Sequence, residues 1–221
     1  MTVIGDRILS LERWVESYSR TVPHVLQFPV QSGGCDSDRI IKTLREKAKA
    51  HLADRREKGV YVWFWLDGAD EEPWPLYVGK SQRGQSSFLA RTNAHLSHAH
   101  RGVDSLYARK NDLGESGFYR THQAGTLPSI DHSSCLCQQF NGMRILFLPM
   151  NEHDASELAG KAEALILSAV LRSHSEPDEA GKRPWSKVMN SSGRTLTCAD
   201  SDDLVRNAMS ALKGWFLIAP G

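Results

Sequence analysis

Residues 60–66, VYVWFWL, form the stretch that most narrows the folds open to this chain. Neighbouring side chains of a strand point to opposite faces, so Tyr61, Trp63 and Trp65 fall on one side and Val60, Val62 and Phe64 on the other. Both sides are apolar. A strand with no polar face has to be covered twice, which predicts a central strand with helices packed above and below it. Gly59 opens this strand, and the Asp67-Gly68 pair is a turn signal that closes it. LYVG at 76–79 reads as the antiparallel return strand, reached through DGADEEPWP at 67–75, whose prolines are expected to form a long hairpin tip.

The rest of the chain supplies the cover. Ile8, Leu11, Trp14, Val15 and Tyr18 recur at helical spacing behind Asp6, which predicts a first amphipathic helix over 6–21. TVPHVLQFPVQSGG at 21–34 reads as an extended connector, since its prolines and closing glycines do not continue a helix. A second helix is expected from Ser37 to about Lys58, with Ile40, Ile41, Leu44 and Leu52 as its apolar stripe. Its other face carries Arg39, Lys42, Arg45, Lys47, Lys49, Arg55, Arg56 and Lys58, interleaved with Asp38, Glu46, Asp54 and Glu57. That pattern suits a solvated helix face as readily as a polyanion-binding one. SSFLARTNAHLSHA at 86–99 is a third helix, placing Arg91 and His95 four apart on one face. Residues 101–140 are polar and read as an insertion; MRILFLPM at 143–150 is a third strand. DASELAGKAEALILSAVLRSH at 154–174 is a long helix capped near Asp154 or Ser156. SDDLVRNAMSALKG at 201–214 is a last helix, followed by WFLIA as a closing strand or packed tail.

Taken together, these elements predict an α+β fold: a small three-stranded antiparallel sheet flanked by helices. Residues 1–58 would form a helical N-terminal extension, 59–198 the core with its insertion at about 101–140, and 199–221 a helix and tail packed on that core. At 221 residues the chain is long enough to bury a real core, and its 40% hydrophobic and 24% charged content is that of globular proteins. No apolar run is long enough to span a bilayer and the N-terminus lacks a signal-peptide layout, so a cytoplasmic protein without a membrane partner is expected. A net charge of +1 excludes a chain that coats nucleic acid indiscriminately, while a local basic groove stays open. Cys35, Cys135, Cys137 and Cys198 are scattered, which fits free thiols in a reducing compartment. His132, Cys135 and Cys137, with His98 and His100, have soft-ligand chemistry. Their spacing lacks the paired C-x(2–4)-C of structural zinc, so zinc is not expected.

The order strand, strand, helix with Arg and His, strand, helix with Glu, loop ending in Asn resembles the GIY-YIG endonuclease superfamily. GVY at 59–61 stands for its first signature, YVG at 77–79 for its second, and FLARTNAH, AEALIL and RPWSKVMN for the rest. The resemblance covers residues 59–190 and leaves the first 58 outside it. The hairpin and the interval from Glu163 to Asn190 are both longer than is usual in that family.

That resemblance implies a catalytic set of Tyr61, Tyr77, Lys80, Arg91, His95, Glu163 and Asn190, and each type has a chemical reason to be there. Glu163 is a hard carboxylate suited to Mg²⁺, with Mn²⁺ as a substitute, the remaining ligands being water and phosphate. Arg91 presents a planar fork of donors to the scissile phosphate and to the charge that builds there. Tyr61 is expected to contact or deprotonate the attacking water, which for a phenol requires a neighbouring cation, and Lys80 is the expected one. His95 would orient or transfer a proton, Tyr77 would bond to the phosphate or its water network, and Asn190 would fix local geometry. In the insertion, Arg101, Arg109, Lys110, Asn111, Arg120 and His122 are candidate DNA contacts.

The implied function is a stand-alone Mg²⁺-dependent DNA endonuclease, closest in layout to the restriction or phage-defence branch, leaving 5′-phosphate and 3′-hydroxyl ends. Double-strand cleavage by one site per chain would favour a homodimer. Three alternatives stay open: a single-strand- or structure-specific nuclease of the same fold, a non-catalytic DNA-binding module and, least favoured, a zinc-stabilised interaction protein.

Overall fold

The computed structural model describes residues 23–29, 36–52, 57–67, 72–82, 86–100, 140, 142–173 and 202–221. Within them the elements run β1 (His24–Gln27), α1 (Ser37–Leu52), β2 (Lys58–Asp67), β3 (Glu72–Ser81), α2 (Phe88–His100), β4 (Arg144–Met150), α3 (Glu152–Ser173) and α4 (Asp202–Phe216). The strands form one antiparallel sheet in the order β1-β4-β2-β3. The fold is α+β.

The double-sided apolar pattern of β2 has the expected outcome. Val60, Val62 and Phe64 are buried beneath α3 and α4, while Tyr61 and Trp63 are buried beneath α1 and α2. Gly59 sits at φ +142°, and a Cβ there would lie 2.2 Å from the Leu148 carbonyl oxygen, so only glycine lets β2 pass β4 this closely.

Four strands, not three, make up the sheet. Residues 24–27, read from sequence as a connector, are extended as expected but pair with β4, His24 opposite Phe147 and Gln27 opposite Arg144. Pro23 and Pro29 flank the strand, which hid it from a propensity reading; an edge strand this short tolerates them on either side. β1 and α1 therefore belong to the same sheet and core as the later elements. A second correction concerns β3, which extends back through Pro73 and Pro75 to Glu72 instead of beginning at Leu76. β3 is also an edge, where a missing N–H on the solvent side breaks no ladder bond. A register shift between Trp63 and Phe64 absorbs the change of pairing.

Local chemistry fixes the helix starts. Asp36 caps α1 by accepting the Asp38 N–H at 3.0 Å, and Ser87 caps α2 by accepting the Ala90 N–H at 3.2 Å. Asn151, not Asp154 or Ser156, caps α3, accepting the Asp154 N–H at 2.8 Å. After α4 the chain turns back and the Gly221 N–H reaches the Val25 carbonyl at 3.2 Å, which makes this end a packed tail. Among the described residues no helix is long and apolar enough to cross a membrane. The helix expected over 6–21 lies outside the described residues.

Candidate active site

Strand register decides which expected site residues meet. Tyr61 on β2 lies opposite Gly79 on β3, and Tyr77 lies opposite Trp63, so both tyrosines project to the α2 side of the sheet. A Cβ at position 79 would stand 2.5 Å from Cζ and the hydroxyl oxygen of Tyr61 and 2.6 Å from the Tyr77 ring. The bare backbone of Gly79 is thus what lets the Tyr61 ring cross β3 and bring its hydroxyl to the edge of the sheet.

Above these rings runs α2, positioned at its first turn by the Phe88 N–H bonding to the Glu57 carbonyl at 3.0 Å. One turn on, Arg91 and His95 point down to the tyrosines. His95, only 7% exposed, has Nε2 3.0 Å from the Tyr61 hydroxyl, and its ring centroid is 5.0 Å from that of Tyr77. Arg91 donates from Nε to the Tyr61 oxygen at 3.4 Å. A guanidinium only donates, so the Tyr61 oxygen accepts from Arg91, while the direction of its bond with His95 Nε2 follows the imidazole tautomer. Four of the expected residues, Tyr61, Tyr77, Arg91 and His95, are brought together in this way.

Electrostatics at Tyr61 differ from the sequence expectation. Burial pushes its phenol well above the ordinary value near 10, and the Tyr77 and Glu163 charges push in the same direction. Arg91 is the cation that pulls it down, and burial prevails over it. The phenolic oxygens of Tyr61 and Tyr77 in turn favour the charged form of Arg91. Tyr61 is therefore a neutral hydroxyl.

Lys80 was expected to lower the pKa of Tyr61, and the geometry corrects this. It pairs with Val60 and so projects from β3 to the opposite side, where its ammonium lies 2.9 Å from Oε2 of Glu163 on α3. Gly160, one turn before Glu163, makes room: a Cβ there would come within 3.2 Å of the Lys80 nitrogen. Glu163 is close enough to the sheet edge for its charge to reach Tyr61. The site so assembled straddles the β3 edge, with the tyrosines, Arg91 and His95 on one side and the Lys80–Glu163 pair on the other.

No protein-family model, curated protein or solved structure matches this chain. Glu163 is a hard-oxygen donor with a partly exposed carboxylate, one oxygen of which holds Lys80. Among the described residues no group of three or more His, Cys, Asp or Glu is arranged to hold a metal ion by itself. A single carboxylate still suits Mg²⁺, which keeps several waters and completes its shell with substrate phosphate. Asn190, and the candidate DNA contacts Arg101, Arg109, Lys110, Asn111, Arg120 and His122, lie outside the described residues, as do His132, Cys135 and Cys137.

Sequence reading missed a second polar cluster on the same side of the sheet. His24 on β1 bonds through Nδ1 to His51 Nε2 at 2.9 Å and through Nε2 to the Glu57 carboxylate at 2.7 Å. Phe147 stacks against both imidazoles and against Phe88, which meets Tyr61 edge-on. The three residues are 27 and 33 positions apart along the chain, and only the β1–β4 pairing gathers them.

Proposed function

We propose that this protein is a metal-dependent DNA endonuclease of the GIY-YIG type, acting in restriction or phage defence. The observation that carries the proposal is the cluster at Tyr61: a buried neutral phenol bonded at once to an arginine and a histidine, with a carboxylate's field reaching it from across the sheet edge. Ordinary strand tyrosines have no need of a buried histidine and a half-buried arginine on one oxygen.

Phosphodiester hydrolysis can be assigned to these groups atom by atom. Arg91, anchored through Nε on Tyr61, offers its remaining N–H groups to the scissile phosphate and to the negative charge of the transition state. The attacking water gives its proton to the Tyr61 oxygen as the Tyr61 proton passes to His95 Nε2. A neutral phenol then acts as a relay, with imidazole as the base, and no phenolate has to form beforehand. Hydroxide bonds to phosphorus, the bond to the 3′-oxygen breaks, and that oxygen takes a proton from solvent, giving 5′-phosphate and 3′-hydroxyl ends. Tyr77 also hydrogen-bonds to Arg91. Glu163 would hold the divalent cation, with Lys80 as its counterion; a bound cation supplies charge neutralisation at the phosphate. One site cuts one strand, so duplex scission would take two copies of the chain.

The test is nicking and linearisation of supercoiled and of natively modified phage DNA in Mg²⁺ by wild type, Tyr61→Phe and Glu163→Gln. Cleavage by wild type that disappears in both variants supports the proposal. Equal cleavage by all three, or DNA binding without cleavage of any substrate, removes it.

A further inference from the structure

α1 carries Arg39, Lys42, Arg45, Lys47 and Lys49 against only Asp38 and Glu46, in a chain whose overall formal charge is +1. The helix thus concentrates positive charge that the rest of the protein balances. The fold also sorts these cations by direction. Ile40, Ile41, Leu44, Ala48 and Leu52 face the sheet, and the exposed Lys42, Arg45 and Lys49, at helical spacing of three and four, line one flank of that stripe. That flank is the one against α2, because the Arg45 guanidinium bonds across to Ser97 Oγ at 2.6 Å. Lys47 belongs to the other flank and Arg39 to the outward side.

Among the described residues of α2, the exposed Ala90 and the half-buried Ala94 lie between Ser97 and Arg91 and are short, while His98, also exposed, stands one turn beyond Ala94. Arg91 lies on the far side of the two alanines. A basic rail on α1, a low saddle on α2 and the arginine of the candidate site are therefore consecutive features of one side of the molecule. Lys42 and Lys49 form no ion pair among the described residues; Asp38 and Glu46, three and four positions away on the helix, offset part of the charge, and a positive excess is left on α1. We propose that Lys42, Arg45 and Lys49 form a backbone-tracking surface for DNA, gripping phosphates to one side of the phosphate that Arg91 holds. The partner follows from charge complementarity: evenly spaced cations on a helix flank, with no apolar pocket between them, match the repeating phosphates of a nucleic-acid strand and read no bases. The proposal rests on the nuclease reading for the place of the scissile phosphate, and on the α1–α2 geometry for the rest.

The decisive experiment measures affinity for a fluorescent duplex of arbitrary sequence as a function of salt, by anisotropy in EDTA so that nothing is cut. Lys42→Gln/Lys49→Gln is compared with the charge-matched Arg39→Gln/Lys47→Gln, which removes the same two charges from the other sides of α1. All four positions are exposed, and thermal melts verify that both variants fold. The first double variant is expected to bind about tenfold more weakly or worse at low salt, with a log–log salt slope shallower by about 2, while the control keeps the wild-type slope. Equal losses in the two variants would mean diffuse charge and overturn the proposal, as would no loss in either. If the wild type cleaves DNA in Mg²⁺ but the rail variant binds and cuts as it does, the rail fails and the nuclease reading stands. If the rail variant loses binding while no DNA is ever cut, the rail stands and the nuclease reading fails.

Discussion

The two sides of the sheet are built from different materials. Under α3 and α4 the core is mainly aliphatic and rich in small residues, with Ala155, Ala159, Ala162, Ala169 and Ala208 set among Val60, Val62, Leu146, Leu148 and Leu165, and with Phe64, Trp215 and Phe216 as its aromatic members. Under α1 and α2 it is richer in aromatic rings, with Tyr61, Trp63, Phe28, Phe88, Phe140 and Phe147 set among the aliphatic residues of α1 and β4. Several buried polar groups lie on that side: the Tyr61 hydroxyl, His95, His24, and the Trp63 indole N–H, which has no hydrogen-bond partner among the described residues. Alanines bring a helix close to a strand and leave nothing to titrate or donate. Aromatic rings fill more space and carry hydroxyls and imidazoles to chosen points. One core is packing alone, and the other also carries polar groups of the candidate site.

The largest effects should come from separating those two duties. Arg91→Ala is expected to lower DNA cleavage by about 10²–10³-fold, the cost of losing one preorganised donor to the transition state, with little change in melting temperature. Leu165→Ala on the aliphatic side should do the reverse, costing about 2–5 kcal/mol of stability while leaving the rate per folded molecule unchanged. Urea melts and plasmid-nicking rates on the same samples check both. A folded Leu165→Ala protein without activity, beside an active Arg91→Ala, would erase the distinction.

Gly79→Ala should fall between the two, because it touches stability and site together. Its Cβ would stand 2.5 Å from Tyr61, so the ring has to move and its bonds to His95 and Arg91 with it. Overpacking of this kind costs about 1–3 kcal/mol. The accompanying loss of cleavage should exceed what the remaining folded fraction explains, and denaturation with parallel activity assays would reveal a simple proportionality if the glycine were only a strand residue.

This glycine also marks how far the sequence could be read. The alternation in VYVWFWL carried the central strand and the burial of both its faces, since period two with no polar face admits little else. The same alternation also carries the direction of Lys80: with Tyr77 and Gly79 on one side, residue 80 has to project to the other, so a parity argument places it with Glu163 and away from the Tyr61 ring. β1 was not legible as a strand, because four residues between prolines acquire their identity from β4, more than a hundred positions later. The prolines of β3 misled for a related reason: a sequence does not say which strand will be an edge. Neutrality of Tyr61 was beyond reach as well, for it depends on how completely three elements desolvate one oxygen.

Alkaline pH offers a gentler probe of the aromatic side. The Tyr61 phenol is pushed above its ordinary value near 10 in the folded protein, so folding favours its protonated form. Below the unfolded value this contribution is fully present and independent of pH. As pH rises past about 10 the unfolded chain loses the proton first, and stability should fall by up to about 1.4 kcal/mol per pH unit until the folded form also ionises. Tyr61→Phe removes that slope. Denaturant midpoints from pH 9 upward, wild type against variant, would show identical slopes if the phenol titrated alike in the folded and unfolded chain.

The smallest effect is expected where the two sides meet, at the Lys80–Glu163 pair. Both side chains are partly exposed, 36% and 24%, so water screens the attraction and the pair should contribute only about 0–1 kcal/mol to stability. A double-mutant cycle with Lys80→Met and Glu163→Gln measures that coupling directly from chemical melts. A value above about 2 kcal/mol would make the pair a structural clamp between β3 and α3, and the aliphatic side would then hold its own ionic anchor. A value near zero, combined with loss of cleavage in Glu163→Gln, is the outcome expected of a carboxylate held ready for another cation. Nothing in the packing of α3 demands the pair, since its buried face is complete without either residue.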